Sequence, residues 1–150
     1  MAKKIIYSNS DGIVSIITPT GDINDAKKDV PSGVSYEIVE DSKLPTDRTF
    51  RNAWIKGSGE VIEDVTKSKA LAHVKRREKR AAEFKPHDEV ISLQVPGSDT
   101  SGAETARAAI RTKYATMQTN IDNATDIAGI KSALGGWYEY CKNNEYYPRE

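Results

Sequence analysis

The sequence predicts an α+β protein in which a small antiparallel sheet comes first and a helical region follows. β-branched runs separated by turn residues occupy residues 1–59, and apolar residues at helical spacing occupy residues 60–134. Strands that precede helices, instead of alternating with them, are typical of α+β proteins. The remaining segment, residues 135–150, is rich in aromatic residues and is predicted to form a C-terminal tail.

The first region is predicted to contain three strands. Residues 5–7 and 13–17 are β-branched runs on either side of Asp11-Gly12, a pair suited to a turn with positive φ, and they predict a β-hairpin. A short helical piece follows at residues 24–29. Residues 34–40 then alternate apolar with polar side chains, which is typical of a half-buried strand.

Residues 44–54 are the most distinctive stretch, because they combine two aromatic residues with two arginines. Asp47 is placed to cap a short helical turn, and such a turn puts two aromatic side chains on one face at positions i and i+4. The candidate interaction residues of this stretch are Arg48, Phe50, Arg51 and Trp54.

A long basic helix is predicted next. Val61-Ile62 suggests a brief strand, after which Asp64 caps a helix that runs to about Phe84. Residues 67–85 carry eight basic and two acidic side chains, and the candidate contact residues are Arg76, Arg77 and Arg80. Such a helix can contact phosphates, but few aromatic residues lie nearby to stack on bases. We therefore expect contact with protein, and nucleic-acid binding is the alternative.

Two further helices are predicted beyond Pro96-Gly97. Ser101 and Glu104 have the spacing of a capping box, which marks a helix start. Apolar residues then form one stripe, which we expect to pack against the basic helix or against a second copy of the chain. The stripe consists of Ala103, Ala106, Ile110, Tyr114, Met117 and Ile121. Residues 127–134 repeat the spacing in a shorter helix, and residues 90–95 are a strand or an extended loop.

The C-terminal tail concentrates aromatic surface at Trp137, Tyr138 and Tyr140. Aromatic residues are enriched at protein interfaces, so these three are candidate interaction residues. The equally weighted alternative is that the tail folds back to complete a thin core. Hydrophobic residues make up only 37% of the chain and charged residues 29%, a lean composition that favours a helix-rich shape or a partner that supplies missing core.

The composition and motifs predict a protein that binds rather than catalyses. Twenty-two basic residues balance twenty-two acidic ones, so no global field attracts nucleic acid or anionic lipid. The lone Cys141 excludes an internal disulfide and fits a reducing compartment, and neither His73 nor His87 has metal-ligand spacing. The sequence has no glycine-rich phosphate loop and no nucleophile elbow. We expect no catalytic residue, cofactor, metal or membrane association.

Four segments together resemble a group of small proteins of tailed bacteriophages encoded near tail or tail-fibre genes. They are the opening Lys-Lys-Ile-Ile-Tyr strand and residues 12–19, 30–39 and 44–54. The second half, notably the arginine-bearing helix over residues 104–121, is also similar to phage tail-associated sequences.

This resemblance implies a non-enzymatic phage protein of the tail or tail fibre, acting as a minor virion component or adaptor. Its implied partners are other phage structural proteins or further copies of itself, and its implied location is the virion or the host cytoplasm during assembly. One alternative is an assembly chaperone for the tail or fibre that is not retained in the virion. Another is a nucleic-acid or host-factor binder that uses residues 67–85.

Overall fold

The computed structural model describes residues 2–135 and confirms the α+β class. The chain divides into two compact units between Ser68 and Lys69. The first unit holds all five strands, and the second holds the two C-terminal helices and most of the long basic helix. The predicted boundary at residue 59 cuts through a hairpin whose second strand belongs to the first unit.

A three-stranded antiparallel sheet begins the first unit, in the order β2-β1-β3. The strands are β1 (Lys3–Ser8), β2 (Val14–Ile17) and β3 (Tyr36–Glu40). Ile6 lies opposite Ile16 on one side and opposite Glu37 on the other. The predicted hairpin is confirmed: Gly12 has φ +69°, and its N–H donates to the Asn9 carbonyl at 3.1 Å. This left-handed conformation explains why glycine follows Asp11 in the turn.

The predicted short helix is confirmed as α1 (Ile23–Ala26), continued by a 3₁₀ turn over Lys27–Asp29. Further 3₁₀ turns span Asp41–Lys43 and Arg51–Ala53. A second antiparallel pair, β4 (Trp54–Lys56) and β5 (Val61–Glu63), closes the strand region and confirms the brief strand at Val61-Ile62.

The core of the first unit lies where β1, β2 and β3 meet the β4–β5 hairpin. It consists of Ile6, Val14, Val39, Trp54 and Val61, with Ile16 and Leu44 packed against it. The apolar side chains of this unit are thus few and gather in one small core. The burial of each one therefore contributes a large share of the unit's stability.

Helix α2 (Val65–Ser92) starts where the sequence predicts and ends later. Asp64 accepts the Lys67 N–H through Oδ1 at 2.7 Å, as expected for an N-cap. The predicted end near Phe84 is wrong, because the helix continues through Pro86. Pro86 has no N–H and so removes one intrahelical hydrogen bond, while the residues around it keep their own. The helix ends at Ser92, and Gln94, two residues later, has a left-handed φ of +44°. Residues 90–92 are therefore helical, so the strand alternative for residues 90–95 is also wrong.

Helices α3 (Ser101–Asn123) and α4 (Ile127–Leu134) complete the second unit. Helix α3 begins at the predicted residue, but the capping box does not form. Ser101 lies inside the helix, and its N–H donates to Asp99 Oδ1 at 2.9 Å, so Asp99 supplies the acceptor instead. The predicted stripe is confirmed, with Ile110, Tyr114 and Ile121 all buried. Among the helices of residues 2–135, none is long and apolar enough to cross a bilayer.

Candidate interaction site

The distinctive stretch before β4 is built into the fold. The predicted helical turn is only the 3₁₀ turn Arg51–Ala53, and Trp54 already begins β4, so the expected i, i+4 helical face is wrong. Phe50 and Trp54 are nevertheless buried, at 0% and 2% exposure, which makes them core residues of the first unit. Asp47 accepts the Thr49 N–H and hydroxyl at 3.0 and 2.7 Å and so orders the approach to the turn.

The two arginines of this stretch have different environments. The Arg51 guanidinium lies 4.8 Å from the centroid of the Trp54 ring, and one of its nitrogens donates to the Val14 carbonyl at 2.9 Å. Arg51 therefore joins the turn to strand β2 and covers the tryptophan. Arg48 is exposed and is the candidate of this stretch that remains open to a partner. Trp137, Tyr138 and Tyr140 lie outside the described residues.

In the second unit, helices α2 and α3 run antiparallel. Their polar contacts pair early residues of α2 with late residues of α3, and late residues with early ones. These pairs are Lys69 and His73 with Asp122, Glu83 with Lys113 and Tyr114, and Asp88 with Arg107. His73 thus makes a cross-helix contact, with its Nε2 2.8 Å from Asp122 Oδ1. Of the predicted stripe on α3, Tyr114 takes part in these contacts through its hydroxyl group.

Glu83 is the central polar residue between the helices. Its Oε1 accepts the Tyr114 hydroxyl at 2.7 Å and the Lys113 ammonium at 2.9 Å. Burial raises the pKa of Glu83, but the hydrogen bonds from Tyr114 and Lys113 outweigh it and hold the pKa below its ordinary value. Burial and the Glu83 carboxylate both raise the pKa of the Tyr114 hydroxyl. The carboxylate is therefore ionised and the phenol neutral at physiological pH.

One turn beyond this contact, the same two helices form a basic cleft of about 370 Å³. We call it the arginine cleft. Four arginines, an aspartate, an alanine and a phenylalanine line it: Arg77, Arg80, Ala81, Phe84 and Asp88 from α2, and Arg107 and Arg111 from α3. The α2 residues recur at helical spacing of three or four, and the two α3 residues are four apart, so each set lies on one helix face.

Phe84 and Asp88 hold Arg107 in the cleft. Arg80 and Arg107 place their guanidinium carbons 4.9 and 5.9 Å from the centroid of the Phe84 ring. Arg107 Nε lies 2.9 Å from Asp88 Oδ1, and another of its nitrogens lies 3.4 Å from Glu104 Oε1. Arg107 is thus fixed by an aromatic face and two carboxylates.

The other three arginines of the cleft are not neutralised in this way. Within residues 2–135, no carboxylate lies in ion-pair distance of Arg77, Arg80 or Arg111. Four positive charges therefore face one negative charge, Asp88, on the cleft wall. Guanidinium groups from two helices in one cleft are chemically suited to anions, since arginine donates in a planar fork that matches carboxylate and phosphate oxygens.

The cleft includes only part of the site predicted from the sequence. Arg77 and Arg80 line it, whereas Arg76 does not. Burial, then the charges of Arg77 and Arg80, lower the pKa of the partly buried Arg76 guanidinium, while Asp122 opposes them. Arg107 and Arg111 were not predicted as site residues. Their signal is the i, i+4 spacing of two arginines beside the apolar stripe of α3.

Residues 2–135 contain no group of three His, Cys, Asp or Glu side chains arranged to hold a metal ion. Comparison with protein families, with curated proteins and with solved structures finds no match to this chain.

Proposed function

We propose that this chain is a non-enzymatic bacteriophage protein of the tail or tail fibre, which acts as a minor virion component or adaptor by contacting other phage structural proteins. The phage context rests on the sequence resemblance of the N-terminal half. The contact role rests on one structural observation, the arginine cleft with three arginines that have no carboxylate partner among residues 2–135. Its location is the virion, or the host cytoplasm during assembly.

The cleft favours contact with a protein over contact with a polyanion because its lining carries charges of both signs. Asp88 lies on its wall and Glu104 lies beside Arg107, so a continuous polyanion meets negative charge at this end. A protein surface with a few placed carboxylates avoids that repulsion, and arginine is enriched at such interfaces. A carboxylate that pairs with a guanidinium group through two hydrogen bonds contributes to specificity as well as to affinity.

Quantitative mass spectrometry of purified particles tests the virion role. We expect the chain at stoichiometric or low fixed copy number in particles of the phage that encodes it. Complete absence from particles, together with recovery of a fibre protein that folds only when this chain is co-expressed, would replace the proposal with the assembly chaperone. A fibre protein that folds equally well alone would exclude the chaperone.

Capture experiments test the contact role. Late in infection, a tagged wild-type chain should capture phage structural proteins, and Arg77→Gln with Arg111→Gln should reduce that capture. The matched control is Lys3→Gln with Lys43→Gln, which removes the same charge from exposed positions of the first unit. Equal capture by both variants would show that the cleft is not the contact surface.

A further inference from the structure

We propose that the arginine cleft binds an extended, carboxylate-rich segment of a partner protein, in which alternate side chains are Asp or Glu. This inference names the chemistry of the partner and rests on the proposed contact role. It commits to protein carboxylates and makes nucleic-acid phosphate the competing outcome.

Asp88 shows how the cleft can hold a carboxylate. Its Oδ1 lies 2.9 Å from Arg107 Nε, with 53% of the Asp88 side chain and 27% of the Arg107 side chain exposed. The cleft thus already holds one carboxylate of the chain itself at its Arg107 end. Arg77, Arg80 and Arg111 carry the same donor groups and have no carboxylate in ion-pair distance among residues 2–135, so they can bind carboxylates of another protein.

The spacing of the donors suits an extended segment. Arg77 and Arg80 are three residues apart on α2, a rise of about 4.5 Å, and Arg107 and Arg111 are four apart on α3, a rise of about 6 Å. In an extended chain, side chains at i and i+2 point to the same side and lie about 7 Å apart. Arginine side chains are long and flexible enough to span the difference between these helical rises and the spacing of about 7 Å in the extended chain. Alternate carboxylates of one segment can therefore reach arginines of both helices.

Nucleic acid fits the cleft less well for two reasons. The ring of Phe84 has the guanidinium groups of Arg80 and Arg107 within 6 Å of its centroid, so a base that stacks there must displace an arginine. A phosphate backbone also carries charge at every nucleotide, and it meets Asp88 on the cleft wall. A peptide with alternate Asp or Glu residues carries charge at every second residue only, which leaves neutral positions that can lie beside Asp88.

The test measures binding of the full chain to three labelled probes at ~50 and ~200 mM salt. The probes are a ten-residue peptide with alternating Glu and Ser, the same peptide with Gln for Glu, and a single-stranded DNA of similar charge. We expect the Glu peptide to bind, the Gln peptide to bind at least tenfold more weakly, and the DNA to bind more weakly than the Glu peptide. The Glu complex should weaken with salt.

Two variants test whether the peptide binds in the cleft. Arg77→Gln with Arg111→Gln should weaken the Glu peptide at least tenfold, whereas the charge-matched Lys3→Gln with Lys43→Gln should change it by less than twofold. Asp88→Asn should strengthen binding severalfold, because it frees Arg107 to bind a further carboxylate of the peptide. A gain in affinity cannot come from unfolding, so this variant keeps the test decisive even where the arginine variants lose stability.

Three results would overturn the inference. They are equal binding of the Glu and Gln peptides, equal losses in the cleft and control variants, and DNA binding that is tighter than peptide binding and is lost in the cleft variant. The last result would assign the cleft to nucleic acid. Since these measurements use the isolated chain, they remain separate from the particle analysis: absence from virions with intact peptide binding rejects the tail role and leaves the inference standing.

Discussion

Replacing Trp54 with alanine should remove much of the stability of the first unit. The side chain is 2% exposed and packs among Ile6, Val14, Val39 and Val61. Truncating a buried Trp to Ala costs about 3–5 kcal/mol, because the lost transfer free energy is joined by a cavity. The variant also loses the hydrogen bond from Trp54 Nε1 to Glu63 Oε1 at 3.2 Å and the stacked Arg51.

A loss of this size is comparable to the whole free energy of unfolding of a small domain, about 5–15 kcal/mol. Thermal and urea unfolding followed by far-ultraviolet circular dichroism measures it. Trp54→Phe is the matched control, since it keeps an aromatic ring in the core and loses the Nε1 donor and part of the area. We expect Trp54→Phe to lower the free energy of unfolding by less than half as much as Trp54→Ala. A loss below about 1 kcal/mol for Trp54→Ala would refute the assignment of Trp54 to the core.

Three further predictions concern the helices. Ile110→Asp should lower the free energy of unfolding by more than about 4 kcal/mol, because it buries a charge. The control Val90→Asp, on the exposed face of α2, should change stability little. Similar unfolding curves for the two variants would contradict the α3 stripe. The lowered pKa of Glu83 means that its contribution is present above the ordinary carboxylate range and is lost as pH falls through the folded pKa. Tyr114→Phe should therefore flatten the acid limb of the stability curve, and parallel urea-derived curves for the two proteins would refute this. Asp64→Ala should cost about 0.5–2 kcal/mol by removing the α2 cap, measured by urea unfolding, and an unchanged midpoint would show that the cap is dispensable.

Local patterns predict most of the fold because they depend on neighbours in sequence. The Asp11-Gly12 turn, the alternation in β3 and the stripe of α3 each follow from one segment's own periodicity, and all three are present. Prediction failed where two local signals competed. Pro86 is a strong helix breaker in isolation, yet α2 continues past it to Ser92.

The arginine cleft shows why the site was harder to predict than the fold. Arg77 and Arg80 stand out within a basic helix, but Arg111 has no feature that marks it alone. It becomes part of a site because cross-helix contacts, such as that between Glu83 and Tyr114, set the antiparallel register of α2 against α3. That register depends on side chains about thirty residues apart, which periodicity within one helix does not reveal. The sequence likewise placed Phe50 among contact residues, since aromatic residues serve cores and interfaces equally well.

The position of β3 at the rim of its sheet has a consequence for self-association. Among the described strands, β3 pairs only with β1, so its other edge offers unpaired backbone groups to another chain. Glu37 and Glu40 place two negative charges on this strand, and hydrogen bonds from the Lys56 ammonium and the Gly59 N–H lower the pKa of Glu37. Edge-to-edge pairing of two copies brings these glutamates into one ladder, where they repel. Charged side chains on an edge strand disfavour such pairing, so β3 is a poor template for edge-to-edge association of two copies.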